Sequence, residues 1–213
     1  MSAISREERL QQVYGARSNE ELRAIYDDWA AAYDGDLQAF GYSYPPAIAG
    51  LVGRYVRERD APILDAGAGT GIVGEVLAIL GYTRLTGIDL SEGMLRVARA
   101  KGVYAELKNQ VLGERLEFAD DSFAAVVSAG VLTTGHAPPA CLDELIRVTR
   151  PGGHLIFTLS APAYEEGGFR AKLEALGRQG AWRPLEITPT WRALPRAATE
   201  AAVTARAYVF ELP

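Results

Sequence analysis

The chain has 213 residues, 48% hydrophobic and 23% charged, the balance of an ordinary globular protein long enough to bury a substantial core. Its net charge of -5 provides no long-range attraction for phosphate backbones, which argues against a nucleic-acid partner. The single cysteine, Cys141, the polar first residues and the lack of a membrane-length apolar run predict a cytoplasmic protein without a membrane partner.

The first 60 residues are predicted to form a helical segment that covers the rest of the protein. Apolar residues recur at three- and four-residue steps over 5–33, which predicts helix with a break near Gly15. A turn is expected at 42–46, where two prolines stand together, and an amphipathic helix over 47–59. The whole chain, 1–213, is expected to be one domain.

Residues 61–213 alternate between strand and helix patterns, which predicts a doubly wound, mainly parallel sheet of the α/β class. Ser91 is a suitable N-cap because its hydroxyl can accept a hydrogen bond from an unpaired backbone N–H. The predicted strands are 62–67, 84–89, 123–129, 154–160 and 203–212, and the predicted helices are 72–80, 91–100, 140–150 and 169–179.

The strongest local signal is the glycine-rich segment at residues 64–71, Leu-Asp-Ala-Gly-Ala-Gly-Thr-Gly. Gly67, Gly69 and Gly71 allow positive φ and a close approach of the backbone to a ligand. The following helix presents free N–H groups to a carboxylate, while Asp65 at the strand end can meet an amino group. The methionine part of S-adenosylmethionine carries both groups, so this methyl donor is the predicted cofactor.

A dinucleotide is the competing ligand, and with it an NAD(P)-dependent oxidoreductase is the competing function. Gly69, Gly71 and Gly74 satisfy the G-x-G-x-x-G pattern, and Asp89 follows about 20 residues later. Two features favour the methyl donor. An aspartate in the strand end would repel a pyrophosphate, and some sixty residues precede the first strand.

Asp89, at the end of the second predicted strand, is the candidate for binding ribose, because a carboxylate can accept two hydroxyl hydrogen bonds. The alternative is an acidic residue that interacts only with the helix dipole. Leu90 and Met94 are candidates for an apolar seat for adenine, and core packing is an equal explanation of Met94.

Four motifs together resemble the class I S-adenosylmethionine-dependent methyltransferases over residues 24–160. They are Asp65-x-Gly-x-Gly-x-Gly71, Asp89, Leu116-x-Phe-x-x-Asp-Ser-Phe123 and Arg150-Pro-Gly-Gly153. A narrower resemblance is to the methyltransferase-like proteins of the Williams–Beuren type. It is carried by Tyr26-Asp-Asp-Trp-Ala-x-x-Tyr-Asp34, Gly93-Met-Leu95, Gly102-Val-Tyr104 and Val111-Leu-Gly113.

The resemblance implies a Rossmann-like, seven-stranded sheet with an N-terminal helical cover. It implies donor contacts at Asp65, Gly67, Gly69, Asp89 and the strand end from Ser128 to Gly130, and a cover made by Tyr26, Trp29 and Tyr33. Leu112 stands where many relatives have an acidic residue that binds the adenine amino group. Adenine contacts are therefore expected from the backbone near Leu112 and Gly113. A second departure, Ala124 in place of an aspartate, concerns packing.

Methyl transfer requires alignment of the acceptor and exclusion of water, and a base helps an oxygen or nitrogen acceptor. Tyr26, Trp29 and Tyr33 can attract a sulfonium, although their spacing equally fits a packing stripe. His136 is the candidate base, with a polar surface histidine as the alternative.

The predicted acceptor is a small molecule with an oxygen or nitrogen nucleophile, and a peptide acceptor is the competing class. A non-catalytic domain that only holds the donor is the alternative function. No metal site is predicted from one cysteine and two histidines, and the oligomeric state is left open.

Overall fold

The computed structural model describes residues 4–199 and 203–213, so the first three residues of the predicted cover lie outside the described part. The helices are α1 (Arg6–Gly15), α2 (Asn19–Phe40), α3 (Tyr44–Tyr55), α4 (Ile72–Ile79), α5 (Glu92–Lys101), α6 (Cys141–Val148), α7 (Ala161–Glu165) and α8 (Phe169–Arg178). The strands are β1 (Ile63–Ala66), β2 (Leu85–Asp89), β3 (Glu106–Asn109), β4 (Phe123–Leu132), β5 (Thr149–Ser160), β6 (Arg183–Ile187), β7 (Trp191–Arg192) and β8 (Thr204–Glu211).

The strands form a single sheet in the order β3-β2-β1-β4-β5-β8-β6. β1 to β5 are mutually parallel, whereas β8 runs antiparallel to β5 and β6 runs antiparallel to β8. Seven strands thus follow one path as expected, and the two-residue β7 is an additional strand paired with β8. The strand order reverses between β1 and β4, and ligands of open α/β sheets bind beyond the carboxyl ends of the strands at such a point.

Helices cover both faces of the sheet, which confirms the doubly wound architecture. β1 is buried along its whole length, and its successive side chains enter different apolar clusters. Ile63 packs in a cluster with Trp29 and Phe40 of α2, whereas Leu64 packs in one with Leu145 of α6. α2 and α3 therefore share a face of the sheet with α4, while α6 and α8 lie on the other.

The N-terminal helices differ from the expectation in their ends. α2 continues past residue 33 to Phe40 and ends where Gly41 adopts a left-handed conformation with φ of 75°. The turn predicted at 42–46 was wrong in part, because α3 already begins at Tyr44. Pro45 and Pro46 lie in its first turn, where a backbone N–H is not needed for the helical ladder.

β3, β6, β7 and α7 were absent from the sequence-based prediction. β3 and β6 are half-exposed to exposed along their length, so their sequences carry no run of buried apolar residues. In the described part of the chain, no helix combines the length and the apolar character needed to cross a membrane. The same residues contain no group of three or more acidic, histidine or cysteine side chains arranged to hold a metal ion.

Candidate functional site

Two neighbouring cavities lie at the carboxyl ends of the central strands. The first, here called the glycine-turn cavity, encloses about 670 Å³ counted to its open mouth. The second, here called the aromatic cavity, encloses about 610 Å³ on the same basis. Four residues line both: Tyr26, Tyr33, Gly130 and His136.

Most of the predicted site residues line the glycine-turn cavity: Tyr26, Tyr33, Gly67, Gly69, Asp89, Leu90, Met94, Leu112 and His136. Trp29 lines the aromatic cavity instead. Asp65, Gly113 and Ser128 line neither of the two cavities. The Ser128 hydroxyl donates to the carbonyl of Ala66 (2.7 Å) and so ties β4 to β1, while the following residues, Ala129 and Gly130, reach the cavity wall.

The glycine turn is held against β2 by its own backbone. The N–H groups of Gly67 and Ala68 both donate to the carbonyl of Ile88, each at 2.9 Å. Gly67 has φ of 85°, and a Cβ at this position would lie 2.2 Å from Cγ2 of Val131, which lines the cavity. A side chain at residue 67 would therefore strain the backbone and collide with the wall.

Asp89 is held rigidly at the end of β2. Its Oδ2 accepts from the N–H of Gly69 (2.8 Å), and its Oδ1 accepts from the N–H of Ser91 (2.9 Å). Burial raises the pKa of Asp89 to about 6, although the N–H donors oppose the shift. Each carboxylate oxygen has a second lone pair, so the group retains the capacity to accept two ribose hydroxyls.

Asp65 is buried, and only one of its oxygens has a partner among the described residues. Oδ2 accepts from the hydroxyl of Tyr104 (2.6 Å), whereas Oδ1 is buried without a hydrogen bond. Burial raises the pKa of Asp65 to about 7, and the charge of Asp89 adds to the rise. An unpaired buried carboxylate oxygen beside the glycine turn suits the ammonium of an amino acid.

Tyr104 also accounts for the pattern that resembled a dinucleotide site. A Cβ at Gly74 would lie 2.3 Å from the Tyr104 hydroxyl oxygen, and one at Gly87 would lie 3.1 Å from its ring. Gly74, the third glycine of the pattern, therefore makes room for a tyrosine ring. The residues present fit the methyl donor: a carboxylate oxygen of Asp65 without a partner among the described residues, the carboxylate of Asp89 with free lone pairs, and an apolar wall at Leu90, Met94 and Leu112.

The first half of α2 closes over this cavity through polar contacts with the residues that follow β2 and with α5. Arg23 donates from Nε to the carbonyl of Leu90 (3.0 Å). Asp27 accepts through Oδ1 from the Ser91 hydroxyl and the Gly93 N–H, both at 2.6 Å. A Cβ at Gly93 would lie 2.7 Å from Cα of Asp27, so this glycine permits the close approach of the two helices.

Tyr26 and His136 form a hydrogen-bonded pair in the wall between the two cavities. The Tyr26 hydroxyl lies 2.8 Å from Nε2 of His136, and Nδ1 lies 3.1 Å from the carbonyl of Thr134. Because a carbonyl only accepts, Nδ1 carries the proton and Nε2 accepts from Tyr26. Burial lowers the pKa of His136, so its ring is neutral at pH 7, and burial raises the pKa of Tyr26 well above its ordinary value.

The aromatic cavity is lined by rings from the cover and from α3. Trp29 stacks parallel to Tyr26 with 6.4 Å between the ring centroids and meets Tyr33 edge-on at 4.8 Å. Its Nε1 donates to Oδ2 of the buried Asp36 (2.8 Å), which fixes the indole. The remaining ring residues of this lining are Tyr14, Tyr42 and Tyr44.

The resemblance pointed to the strand end from Ser128 to Gly130, and Gly130 lines both cavities. With φ of 76°, Gly130 has no room for a side chain because a Cβ would lie 2.6 Å from the Tyr42 hydroxyl. Three residues around the site were missed from the sequence: Tyr104, Asp27 and Gln110. They act through contacts with residues distant in the chain, and no spacing rule indicates such contacts.

Comparison with known proteins agrees with this geometry. A methyltransferase domain family matches residues 64–157. The chain is 32% identical over 204 residues to the Homo sapiens methyltransferase-like protein 27, with 84% of this chain and 82% of that protein covered. It is 30% identical over 198 residues to the demethylmenaquinone methyltransferase of Renibacterium salmoninarum, with 90% and 74% covered.

Among solved structures, the [4+2]-cyclase SpnF has a TM-score of 0.72 at 16% identity, covering 93% of this chain and 98% of that one, which is a likeness of fold. A Thermotoga maritima S-adenosylmethionine-dependent methyltransferase has a TM-score of 0.62 at 18% identity, covering 87% and 98%. The identities over most of both sequences, together with the glycine turn and its acidic partners, show that the chain belongs to the class I S-adenosylmethionine-dependent methyltransferases.

Proposed function

We propose that this enzyme transfers the methyl group of S-adenosylmethionine to an oxygen or nitrogen atom of a small, largely apolar molecule held in the aromatic cavity. The observation that carries the proposal is the shared wall: Tyr26, Tyr33, Gly130 and His136 border both cavities. A donor in one cavity and an acceptor in the other would meet at this wall.

The donor is assigned to the glycine-turn cavity. Asp89 would accept the ribose hydroxyls, the turn at Gly67 and Gly69 would take the methionine part, and Asp65 would face its amino group. Leu90, Met94 and Leu112, which line this cavity, would border adenine. The bound donor supplies an electrophilic methyl group, so the protein has no need to generate one.

The protein's contribution is alignment, exclusion of water and acceptance of a proton. Correct alignment of two reactants can lower a barrier by about 7–11 kcal/mol. The rings of Tyr26 and Tyr33 can attract a sulfonium, each contact contributing about 0.5–2 kcal/mol. A neutral His136 can accept a proton, and the Tyr26 hydroxyl, which donates to Nε2, can pass a proton from the acceptor to it.

The lining of the aromatic cavity supports a small ring-containing or otherwise apolar acceptor. Tyrosine, tryptophan, leucine and valine side chains predominate, and the polar groups are hydroxyls and one imidazole. A relative named as a demethylmenaquinone methyltransferase is consistent with this class of acceptor. The net charge of -5 disfavours nucleic acid as an acceptor, and we retain the cytoplasm as the proposed location because the chain has a single, buried cysteine.

The decisive test is turnover of the donor with a panel of small phenols, amines, carboxylic acids and quinols, compared between the wild type and His136→Ala. We expect His136→Ala to lower kcat by about 10²–10⁴ while the Kd for the donor stays within about twofold. Tyr26→Phe should also lower kcat, because the hydroxyl that donates to His136 is lost.

Two results would contradict the proposal. Tight donor binding without turnover of any acceptor would favour a non-catalytic binding domain. Turnover of a peptide in preference to every small molecule would place the acceptor outside the aromatic cavity.

A further inference from the structure

The order of the strands determines the order in which the parts of a bound donor would lie along the edge of the sheet. If Asp89 at the end of β2 holds the ribose and the glycine turn after β1 holds the methionine part, the base must extend the other way, towards the end of β3. Gln110 directly follows β3, and its backbone N–H donates to the carbonyl of Asp89 (3.1 Å). Gln110 therefore lies beside the ribose position, on the side where the base belongs.

The orientation of the Gln110 amide is fixed by a neighbour. Its Oε1 accepts from the backbone N–H of Glu117 (3.0 Å). Because a backbone N–H can only donate, the atom facing it must be the oxygen, and the amide nitrogen faces the opposite way. That nitrogen, Nε2, is buried and has no hydrogen-bond partner among the described residues, while Gln110 itself lines the glycine-turn cavity.

The rest of this end of the cavity is short of hydrogen-bonding side chains. Leu90, Met94, Val111 and Leu112 are all apolar. Asn19, in the first turn of α2, is the other amide of the lining, but it is exposed. A buried donor without an acceptor is costly, so its retention beside a ligand cavity points to an acceptor on the ligand.

We propose that Gln110 is the residue that recognises adenine in this enzyme, its amide nitrogen donating to a ring nitrogen of the base. This rests on the proposed placement of the donor in the glycine-turn cavity. An acidic side chain accepts from the exocyclic amino group, whereas a glutamine N–H meets the lone pair of N1, N3 or N7. The chain thus selects adenine by its ring nitrogen and not by its amino group.

The test is calorimetric titration of the full-length chain with S-adenosylhomocysteine and with its 1-deaza, 3-deaza and 7-deaza analogues, each of which replaces one ring nitrogen by C–H. We expect the wild type to bind one of the three analogues at least about tenfold more weakly than the parent. Gln110→Met should bind the parent about tenfold more weakly than the wild type does. It should bind that analogue as tightly as it binds the parent. The discrimination would then depend on the amide.

Gln110→Glu separates recognition of the base from a purely structural role. It keeps an oxygen for the Glu117 N–H but removes the donor, so it too should lose the discrimination. Asn19→Ala is the matched amide control and should retain the discrimination between the parent and the analogue.

The proposal fails if the wild type binds all three analogues as tightly as the parent. It also fails if the discrimination persists in Gln110→Met or disappears in Asn19→Ala. Absence of binding of S-adenosylhomocysteine itself would instead remove the donor placement on which the inference rests.

Discussion

Tyr104 connects two features of the donor site that are far apart in the sequence. Its ring fills the space left by Gly74 and Gly87, and its hydroxyl holds one oxygen of Asp65. This bond opposes the effect of burial on the pKa of Asp65, which nevertheless rises to about 7. At neutral pH the ionised fraction of Asp65 therefore depends on the hydrogen bond from Tyr104. The attraction of Asp65 for an ammonium group depends on the same bond.

Tyr104→Phe is predicted to raise the pKa of Asp65 further, because the ring remains and only the hydrogen-bond donor is lost. Donor affinity should fall about tenfold at pH 6, and the ratio of mutant to wild-type Kd should shrink as the pH rises to 9. The ratio cancels the titration of the donor's own amino group. Calorimetric Kd values measured over this range provide the check.

Tyr82→Phe is the matched control, since it removes a buried hydroxyl that donates to the carbonyl of Val56 (2.7 Å), a residue that lines neither cavity. It should lower stability without altering the pH dependence of donor binding. A Kd ratio for Tyr104→Phe that does not vary with pH would show that the tyrosine only fills space.

Asp89→Ala is predicted to weaken donor binding while the protein remains folded. Losing a charge-assisted acceptor costs about 1.5–3 kcal/mol, or roughly 10- to 150-fold in Kd. Circular dichroism establishes folding, and calorimetry gives the Kd. Unchanged affinity in a folded variant would remove Asp89 from the site.

The candidate site residues that the sequence alone indicates are those whose position follows from local chemistry. Asp65, Gly67 and Asp89 stand at strand ends or in a glycine turn, where spacing alone indicates a ligand. The pairs Tyr104–Asp65 and Tyr26–His136 are 39 and 110 residues apart in sequence, and they form only because the sheet and the cover bring their elements together. Periodicity contains no information about such pairs.

The secondary-structure elements also divide into those that the local sequence predicts and those that depend on tertiary contacts. β1, β2, β4, β5 and β8 are buried and apolar, and the sequence predicted all of them. β3 and β6 are largely exposed, and their alternation of polar and apolar residues is too weak to identify a strand. Their existence depends on pairing with β2 and β8, which is a tertiary contact.

α2 contributes to the core along its whole length and makes additional polar contacts at its beginning. Leu22, Leu37 and Phe40 belong to the core. Arg23 and Asp27 tie the beginning of the helix to the residue after β2 and to α5. We predict that the first half of α2 is the mobile part of the N-terminal cover, because its residues Leu22 and Tyr26 line the glycine-turn cavity. Opening there would expose this cavity.

Asp27→Ala is predicted to loosen this first half of the helix. Loss of the bonds from Ser91 and Gly93 should speed amide exchange over residues 20–28 and leave residues 31–40 nearly unchanged. The donor should dissociate about tenfold faster, because the cover opens more often. Exchange mass spectrometry and stopped-flow measurements of dissociation provide the check.

Asp27→Asn keeps the Oδ1 acceptor and should retain most of the protection of residues 20–28 against amide exchange. Asp28→Ala, at the exposed neighbouring residue, is the control and should leave this protection unchanged. Equal protection of residues 20–28 in the wild type with and without donor would indicate fixed packing and not a cover.

At the scale of the whole molecule, the sheet order assigns a direction to the ligands. Moving from β3 to β4, the strand ends present Gln110, Asp89, the glycine turn and Gly130 in turn. Under the proposed placement, these correspond to base, ribose, methionine and acceptor. Two buried acids, Asp65 and Asp89, lie at the centre of this row, and their ionisation affects the stability of the entire fold.

Both acids have pKa values raised by burial, to about 7 for Asp65 and about 6 for Asp89, above the ordinary value of 3.8. The native protein therefore holds protons that the unfolded chain releases. Stability of the ligand-free protein is greatest below about pH 4 with respect to these two groups, and it declines as the pH rises from about 4 to about 7. One pKa unit corresponds to about 1.4 kcal/mol, so the loss amounts to several kcal/mol.

We predict that the Tm of the ligand-free protein falls by several degrees between pH 5 and pH 7.5, and that Asp65→Asn reduces this fall. The donor should raise the Tm more at pH 7.5 than at pH 5. Its ammonium group favours ionised Asp65 and its ribose hydroxyls favour ionised Asp89, so binding strengthens as these groups lose protons. Glu144, whose pKa is lowered to about 2 by its bonds with Arg147, affects stability only below about pH 4.5 and leaves this window unchanged. Differential scanning calorimetry at both pH values, with and without donor, tests the prediction. A donor-induced rise in Tm that is equal or larger at pH 5 would show that Asp65 and Asp89 do not face the donor.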